Sequence, residues 1–254
     1  MNNYEIFIQL HQQNEPLLLG NVWNAHSAWL FEKNGYKAIG TSSAAIANSL
    51  GYEDGEKILF DELFFIVEKI IANVNIPVSV DIEGGYSNSI AGAINNIERL
   101  SDAGVVGINI EDSYQEGMTA VDIFSKKLSR IKNHLEKNNM KMFVNVRTDG
   151  FLLHLPSCLD VTLERIKAYE HAGADGIFVP FVSETDAIKK IVSSTSLPVN
   201  IMCMPNLPSF ETLAESGVRR ISMGNFLFKS IYNNLETMIK NINTEKSFAS
   251  LFRT

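Results

Sequence analysis

The run SVDIEGG sets two carboxylates, Asp81 and Glu83, two positions apart at the end of an apolar stretch, and a second stretch, VVGINIED, closes on Glu111 and Asp112. Side chains two apart on a strand share a face, and neighbouring strands lie about 4.8 Å apart, so paired strands bring Asp81, Glu83 and Glu111 within reach of one centre. Carboxylates that close repel unless something positive stands between them. A cation held by oxygen atoms alone is a hard one, and a few protein ligands with room for water suit magnesium, or manganese, better than calcium. The competing reading is structural, with Glu83 or Glu111 paired to Arg147 or Lys57 as an ion pair.

Arg147 ends a further stretch, KMFVNVRTD, where its planar fork would grip a carboxylate or phosphate, or else bridge to Asp149 or Glu111. In TSSA, residues 41–44, Thr41, Ser42, Ser43 and Ala44 are small enough to leave backbone N–H groups and hydroxyls uncovered for a carboxylate or oxyanion. A tight turn would look the same. Asn145, Asn200 and Met202 are expected to line an interior, where an asparagine serves the backbone as readily as a substrate. His26 stands near the end of the first apolar run, while His11, His134 and His171 fall on helical stretches with a surface role as the default. Cys203 reads as a packing residue.

The elements that must position these groups follow a repeating pattern. Eight β-rich runs can be read, at 16–24, 37–43, 76–83, 105–112, 141–149, 175–181, 197–204 and 218–225, with Gly, Pro or Asn between them. Helical periodicity separates them, as in DELFFIVEKIIANV and SIAGAINNIERLSDAG, and Ser209 is placed to cap the helix that begins at SFETL. Eight strand–helix units in 254 residues predict a (β/α)8 TIM barrel, whose strand ends converge on one mouth. A doubly wound open sheet is the alternative, but the first turn, GNVWNAHS, lacks the G-x-G-x-x-G that such a fold usually offers to phosphates.

No Pro/Gly/Ser-rich linker or charge run divides the chain, so residues 1–254 read as one barrel domain. A net charge of -7 gives no footprint for nucleic acid, and no apolar run approaches the roughly 20 residues of a membrane span. Two cysteines without metal-ligand spacing fit a reducing cytoplasm, and a small molecule is the expected partner.

Taken in order, GNVWNAHSAWLFEKNGYKAIGTSSAAIANSLGYEDGE, VSVDIEGGYS, AGVVGINIEDS, FVNVRTD, AGADGIFVPF and GVRRISMGN resemble the isocitrate lyase and phosphoenolpyruvate mutase superfamily across nearly the whole chain. The likeness is greatest to its short phosphonomutase-like or methylisocitrate-lyase-like members. The resemblance implies magnesium at Asp81, Glu83 and Glu111, some contacts passing through water, and a carboxylate cradle at Ser42, Ser43 and Ala44 formed mainly by backbone N–H groups. It implies a clamp on the transferred or leaving group at Arg147 and an acidic loop residue at Asp54. Trp23, Thr41 and Asn200 complete the candidate substrate-binding set.

The implied reaction breaks or rearranges a C–C or P–C bond of a 2-oxo or 2-hydroxy carboxylate through an enolate, on a small carboxylate or phosphonate substrate. An oxaloacetate-type C–C hydrolase, or an inactive binder of carboxylate and magnesium, are the alternatives. A phosphate-binding biosynthetic barrel ranks last, because SMGNF supplies a single glycine. The lyases of the superfamily carry a K-K-C-G-H-like loop after the fourth strand, and here that loop reads EDSYQEGMTAVD, without cysteine, lysine or histidine. Tyr114 and Glu116 are the candidates for acid or base within it. The last helix, NFLFKSIYNNLETMIKNI, either exchanges with a second subunit in a homodimer or homotetramer or packs on its own barrel.

Overall fold

The computed structural model describes residues 1–114 and 117–252, with Tyr114 given by its backbone alone. All eight strand runs appear, trimmed at both ends: β1 (Leu17–Val22), β2 (Ile39–Thr41), β3 (Val78–Asp81), β4 (Gly107–Glu111), and, after a short hairpin of β5 (Ser113–Tyr114) and β6 (Gly117–Met118), β7 (Phe143–Arg147), β8 (Gly176–Val179), β9 (Val199–Met202) and β10 (Arg220–Ser222). The eight long strands close in chain order into a parallel barrel, with β1 joined to β10. This is the expected TIM barrel.

The helices are α1 (Asn3–Gln12), α2 (Ala25–Lys33), α3 (Ser43–Ser49), α4 (Phe60–Ile71), α5 (Ile90–Asp102), α6 (Val121–Lys137), α7 (Cys158–His171), α8 (Thr185–Ser193), α9 (Phe210–Glu215) and α10 (Phe226–Glu245). Helical spacing explains how they dock. In α6 the buried residues are Phe124, Leu128, Ile131 and Leu135, one stripe at intervals of three and four that covers the barrel wall. Ser209 caps α9 as its position suggests, its hydroxyl accepting from the Thr212 N–H at 3.2 Å.

Alternation along the strands sorts the interior into levels. On β4 the order from bottom to mouth is Gly107, Asn109, Glu111, and on β7 it is Phe143, Asn145, Arg147; Asn109 stands opposite Asn145, and Glu111 opposite Arg147. The bottom is closed by α1, whose Phe7, Leu10 and His11 share one buried face and cluster with Leu17, Leu19 and Phe143. Gly107 makes room for this plug, since a Cβ there would lie 2.8 Å from the Phe7 ring.

One expectation changes. The N-terminal stretch is a helix, begun by an Asn2 capping box, as the placing of His11 on a helical stretch implied, but His11 is buried rather than on the surface, because it lies one turn beyond Phe7 on the face that enters the barrel. Its Nδ1–H donates to the Phe7 carbonyl at 2.7 Å, its ring stacks 4.4 Å from that of Phe143, and burial beside Arg220 pushes its pKa down to about 3. At the other end of the chain only Phe228 of α10 is buried, while Ile231, Tyr232, Leu235, Met238 and Ile239 are exposed. No helix among the described residues is long and apolar enough to cross a membrane.

Candidate active site at the barrel mouth

A cavity of about 220 Å³ opens at the C-terminal ends of the strands. Ser42, Ser43 and Ala44 form one wall, Asp81 and Arg147 another, Asn21, Asn109 and Ser222 lie deeper, and Asn225 and Lys229 of α10 stand at the side. A second cavity, about 320 Å³, holds Glu83, Glu111, Glu56 and Lys57; Asp54 borders both. The sequence thus brings together Ser42, Ser43, Ala44, Asp54, Asp81 and Arg147 in one space, with Glu83 and Glu111 in the space beside it.

Each group has a specific support. Asp81 is the last residue of β3; its N–H donates to Thr41 Oγ1 at 2.9 Å and its carboxylate accepts from the Ser43 hydroxyl at 2.9 Å. Thr41 therefore acts as backing for Asp81 and is itself buried. The Ser42 N–H already donates to the Val22 carbonyl at 3.0 Å, which leaves Ser43 and Ala44, in the first turn of α3, as the backbone donors of the cradle.

Glu83 does not share a strand face with Asp81. β3 stops at Asp81, and Glu83 sits at φ 48°, turned so that its carboxylate accepts from Tyr86 Oη at 2.6 Å and the Glu56 N–H at 2.7 Å. Glu56 and Phe181, which line the two cavities, also hold positive φ, at 56° and 66°. Strained non-glycine backbone of this kind costs about 1 kcal/mol or more per residue and gathers where a site must be shaped.

Arg147 is held on two sides, by Glu111 at 2.7 Å and by Asp149 at 2.7 Å. The ion-pair reading is therefore realised for Glu111, whose other oxygen accepts from the Ser113 hydroxyl at 2.5 Å. Behind this layer, on the side facing α7, Asp112, fully buried, accepts from Tyr169 Oη at 2.6 Å, Arg165 Nη1 at 3.0 Å and the Asp149 N–H at 3.2 Å. Arg165 also donates to the Thr119 carbonyl at 2.9 Å and so ties down the base of the loop after β4.

The electrostatics are those of crowded acids. Burial raises the Asp81 pKa, against the pull of Arg147 and Ser43. Burial, with Asp81, Asp54 and Glu111 nearby, pushes Glu83 up to about 8 despite the Tyr86 hydrogen bond. Burial likewise raises Glu111 even with Arg147 in contact, and the surrounding carboxylates hold Arg147 above its ordinary value although burial alone would lower it. Among the described residues neither Asp81 nor Glu83 forms a direct ion pair, although Arg147 acts on Asp81 from a distance. Their all-oxygen chemistry fits a hard divalent cation. No three His, Cys, Asp or Glu side chains among the described residues are gathered closely enough to hold a metal ion between them.

Two candidates stand elsewhere. Trp23 is buried, packs edge-on against Phe228 at 5.3 Å and borders an apolar groove on the outer side with His26 and Leu30, because it follows the end of β1 and turns outward. Asn200 lies beneath the mouth among interior amides, its Nδ2 donating to Ser222 Oγ at 3.0 Å. The Tyr114 side chain and Glu116 lie outside the described residues. Conversely, Asn109, Asn225 and Lys229 line the mouth without having been singled out; the GVRRISMGN run and the basic residue one turn into the next helix were the available signal for the last two.

A parallel eight-stranded barrel with acids, an arginine and uncovered N–H groups at its C-terminal mouth has the layout of a small-molecule enzyme of the TIM-barrel class. Residues 7–243 match the family model described as phosphoenolpyruvate phosphomutase, and the chain belongs to that family. It is 34% identical over 218 residues to an uncharacterized protein of Mycobacterium tuberculosis, covering 86% of this chain and 81% of that one. It is 25% identical over 210 residues to the 2-methylisocitrate lyase of Escherichia coli, covering 79% and 70%. Among solved structures, a candidate phosphonomutase from Burkholderia cenocepacia superposes with a TM-score of 0.88 at 33% identity, covering 94% of this chain and 99% of that one.

Proposed function

We propose that the protein is a magnesium-dependent enzyme that cleaves or rearranges a C–C or P–C bond of a 2-oxo or 2-hydroxy carboxylate by way of an enolate. The observation that carries this reading is the single cavity shared by Ser43, Ala44, Asp81 and Arg147. Asp81 would hold the metal, with Glu83 and Glu111 acting through water from the adjoining space. A divalent cation there supplies Lewis acidity to an oxygen whose charge grows in the transition state.

The chain's own groups supply the rest. The Ser43 and Ala44 N–H groups orient the substrate carboxylate and offer fixed donors to the developing oxyanion. Arg147, kept rigid by Glu111 and Asp149, presents its remaining N–H edge to the departing or migrating group. Lys229 and Asn225, on the α10 side, favour a second anionic group on the substrate, as in a dicarboxylate or an oxo-acid phosphonate. The exposed apolar face of α10 supports pairing with a second copy of the chain as a homodimer or homotetramer, which light scattering on the purified protein would decide.

The test is incubation with magnesium and oxaloacetate, 2-methylisocitrate, isocitrate, phosphonopyruvate or phosphoenolpyruvate, followed by NMR. Magnesium-dependent conversion of one compound is expected. The absence of both turnover of every compound and magnesium-dependent binding of oxalate or pyruvate would overturn the reading. Binding without turnover would favour the second one, a carboxylate and magnesium binder, to which the absence of cysteine, lysine and histidine from EDSYQEGMTAVD lends support.

A further inference from the structure

Beneath the mouth lies a group that the proposed chemistry does not use. Arg220 of β10 is 1% exposed and has no carboxylate in contact; its Nη2–H donates to Asn109 Oδ1 at 3.2 Å, and its Nε and Nη1 have no partner among the described residues. Burial pushes its pKa down only to about 9, so it is a cation at neutral pH. A guanidinium has donors and no acceptor. Whatever atom of Asn109 faces it must therefore be the amide oxygen.

The neighbouring amide agrees. Asn145 Nδ2 donates to the same Asn109 oxygen at 2.9 Å and to Asn200 Oδ1 at 3.3 Å. Two donors thus converge on Asn109 Oδ1, one of them charged and lacking any other side-chain acceptor. The Asn109 NH2 group is left without an acceptor among the described residues, yet it is not sealed off, and Asn109 lines the mouth cavity together with Ser43, Asp81 and Arg147. A free amide flips at little cost, whereas this one would turn its own N–H groups onto a buried cation.

We propose that Asn109 is a ligand-binding residue, donating from its NH2 group to an oxygen of the bound oxo-acid, and that Arg220 is the positioning residue that fixes the amide in that orientation. The identity of the ligand rests on the function proposed above; the hold of Arg220 on the amide does not.

Two readouts on protein labelled with 15N-asparagine separate these halves. The Asn109 NH2 signals, assigned by their loss in Asn109→Ser, report the amide, and calorimetry with oxalate and magnesium reports the ligand. In the wild type one pair of Asn109 signals is expected, shifting when oxalate binds. In Arg220→Met, close in length but without donors, the pair should move or double and oxalate affinity should fall about tenfold or more, as it should in Asn109→Ser. Arg220→Lys retains one charged donor and should recover most of the affinity and the wild-type signals; Arg220→Gln, neutral and able to face either end of the amide, serves if Arg220→Met does not fold.

Unchanged Asn109 signals in folded Arg220→Met, or in Arg220→Gln in its place, would overturn the positioning role. Affinities within twofold of wild type in Asn109→Ser would overturn the binding role. If oxalate does not bind the wild type at all, the reading of the ligand fails with the proposed function, and the NMR signals still decide the role of Arg220.

Discussion

His11 makes the resistance of the fold to acid measurable. In the folded chain it is neutral, with a pKa near 3, whereas in the unfolded chain it takes up a proton around its ordinary 6.5. Above pH 6.5 neither state is protonated, and the residue contributes no pH dependence. Below 6.5 the unfolded state binds a proton that the folded state refuses, so stability falls with pH until about 3, where the folded imidazole is protonated too. Each pH unit in that window is worth about 1.4 kcal/mol, so acidification from pH 7 to pH 5 should cost roughly 2 kcal/mol through this residue. His11→Leu removes the titration while keeping an apolar group on the buried face of α1. Its loss of ring stacking is a constant offset, and other titrating groups cancel between wild type and variant. Urea unfolding of both proteins at pH 7 and pH 5 should therefore show the wild type losing about 2 kcal/mol more than the variant. An equal loss in both would refute the claim that His11 is held neutral between Phe7, Phe143 and Arg220.

Further outcomes follow from other parts of the structure. Asp112→Ala should destabilise by about 3–5 kcal/mol in denaturant titration, because it strands Tyr169 Oη, the Arg165 guanidinium and the Asp149 N–H in a buried setting. Arg147→Lys cannot reproduce the paired contacts to Glu111 and Asp149, and calorimetry should find oxalate affinity lowered at least about tenfold. Glu83, raised to about 8 by burial and its acidic neighbours, binds a proton in the folded state that the unfolded state releases near 4.5, so the metal-free protein should lose stability as pH rises from about 5 to 8. Added magnesium should then raise Tm more at pH 8 than at pH 6, and removing it with a chelator should reverse the gain; an equal effect at both pH values argues against Glu83 as part of a cation site. Gly176→Ala would put a Cβ 2.8 Å from Asn145 Oδ1 and the Phe143 ring, and about 1–3 kcal/mol of destabilisation is expected in the same titrations.

The barrel was legible because its eight apolar runs are punctuated by turn residues and each ends on groups too polar for a packed core. Strand periodicity located Asp81, Glu111 and Arg147, which do occupy the last inward positions of β3, β4 and β7. It misplaced Glu83, because a period of two holds only while the backbone stays extended, and Glu83 adopts φ 48° just past the strand. Trp23 fell outside the mouth for a similar reason, lying beyond β1 where alternation no longer fixes direction. The contact between Asn109 and Arg220 was hidden more deeply. It depends on closing β10 against the far side of the barrel, and the residues concerned are 111 positions apart. His11 escaped notice because a ten-residue amphipathic helix reads as surface until something shows that its apolar face fits a barrel end.

That plug gives the molecule one door. Phe7 and Leu10 close the lower end, and amides and a guanidinium fill the tube above them, so nothing passes through the barrel. If the proposed cleavage takes place in the mouth, its two fragments share a single exit. A piece beside Asn225 and the exposed Lys229 would then stand in front of one seated against Ser43 and Asp81, and would be expected to leave first. The inner fragment then competes with fresh substrate for an empty seat, whereas the outer one obstructs a seat already taken. Product-inhibition patterns would thus read out depth along the barrel axis, telling which half of the substrate enters first.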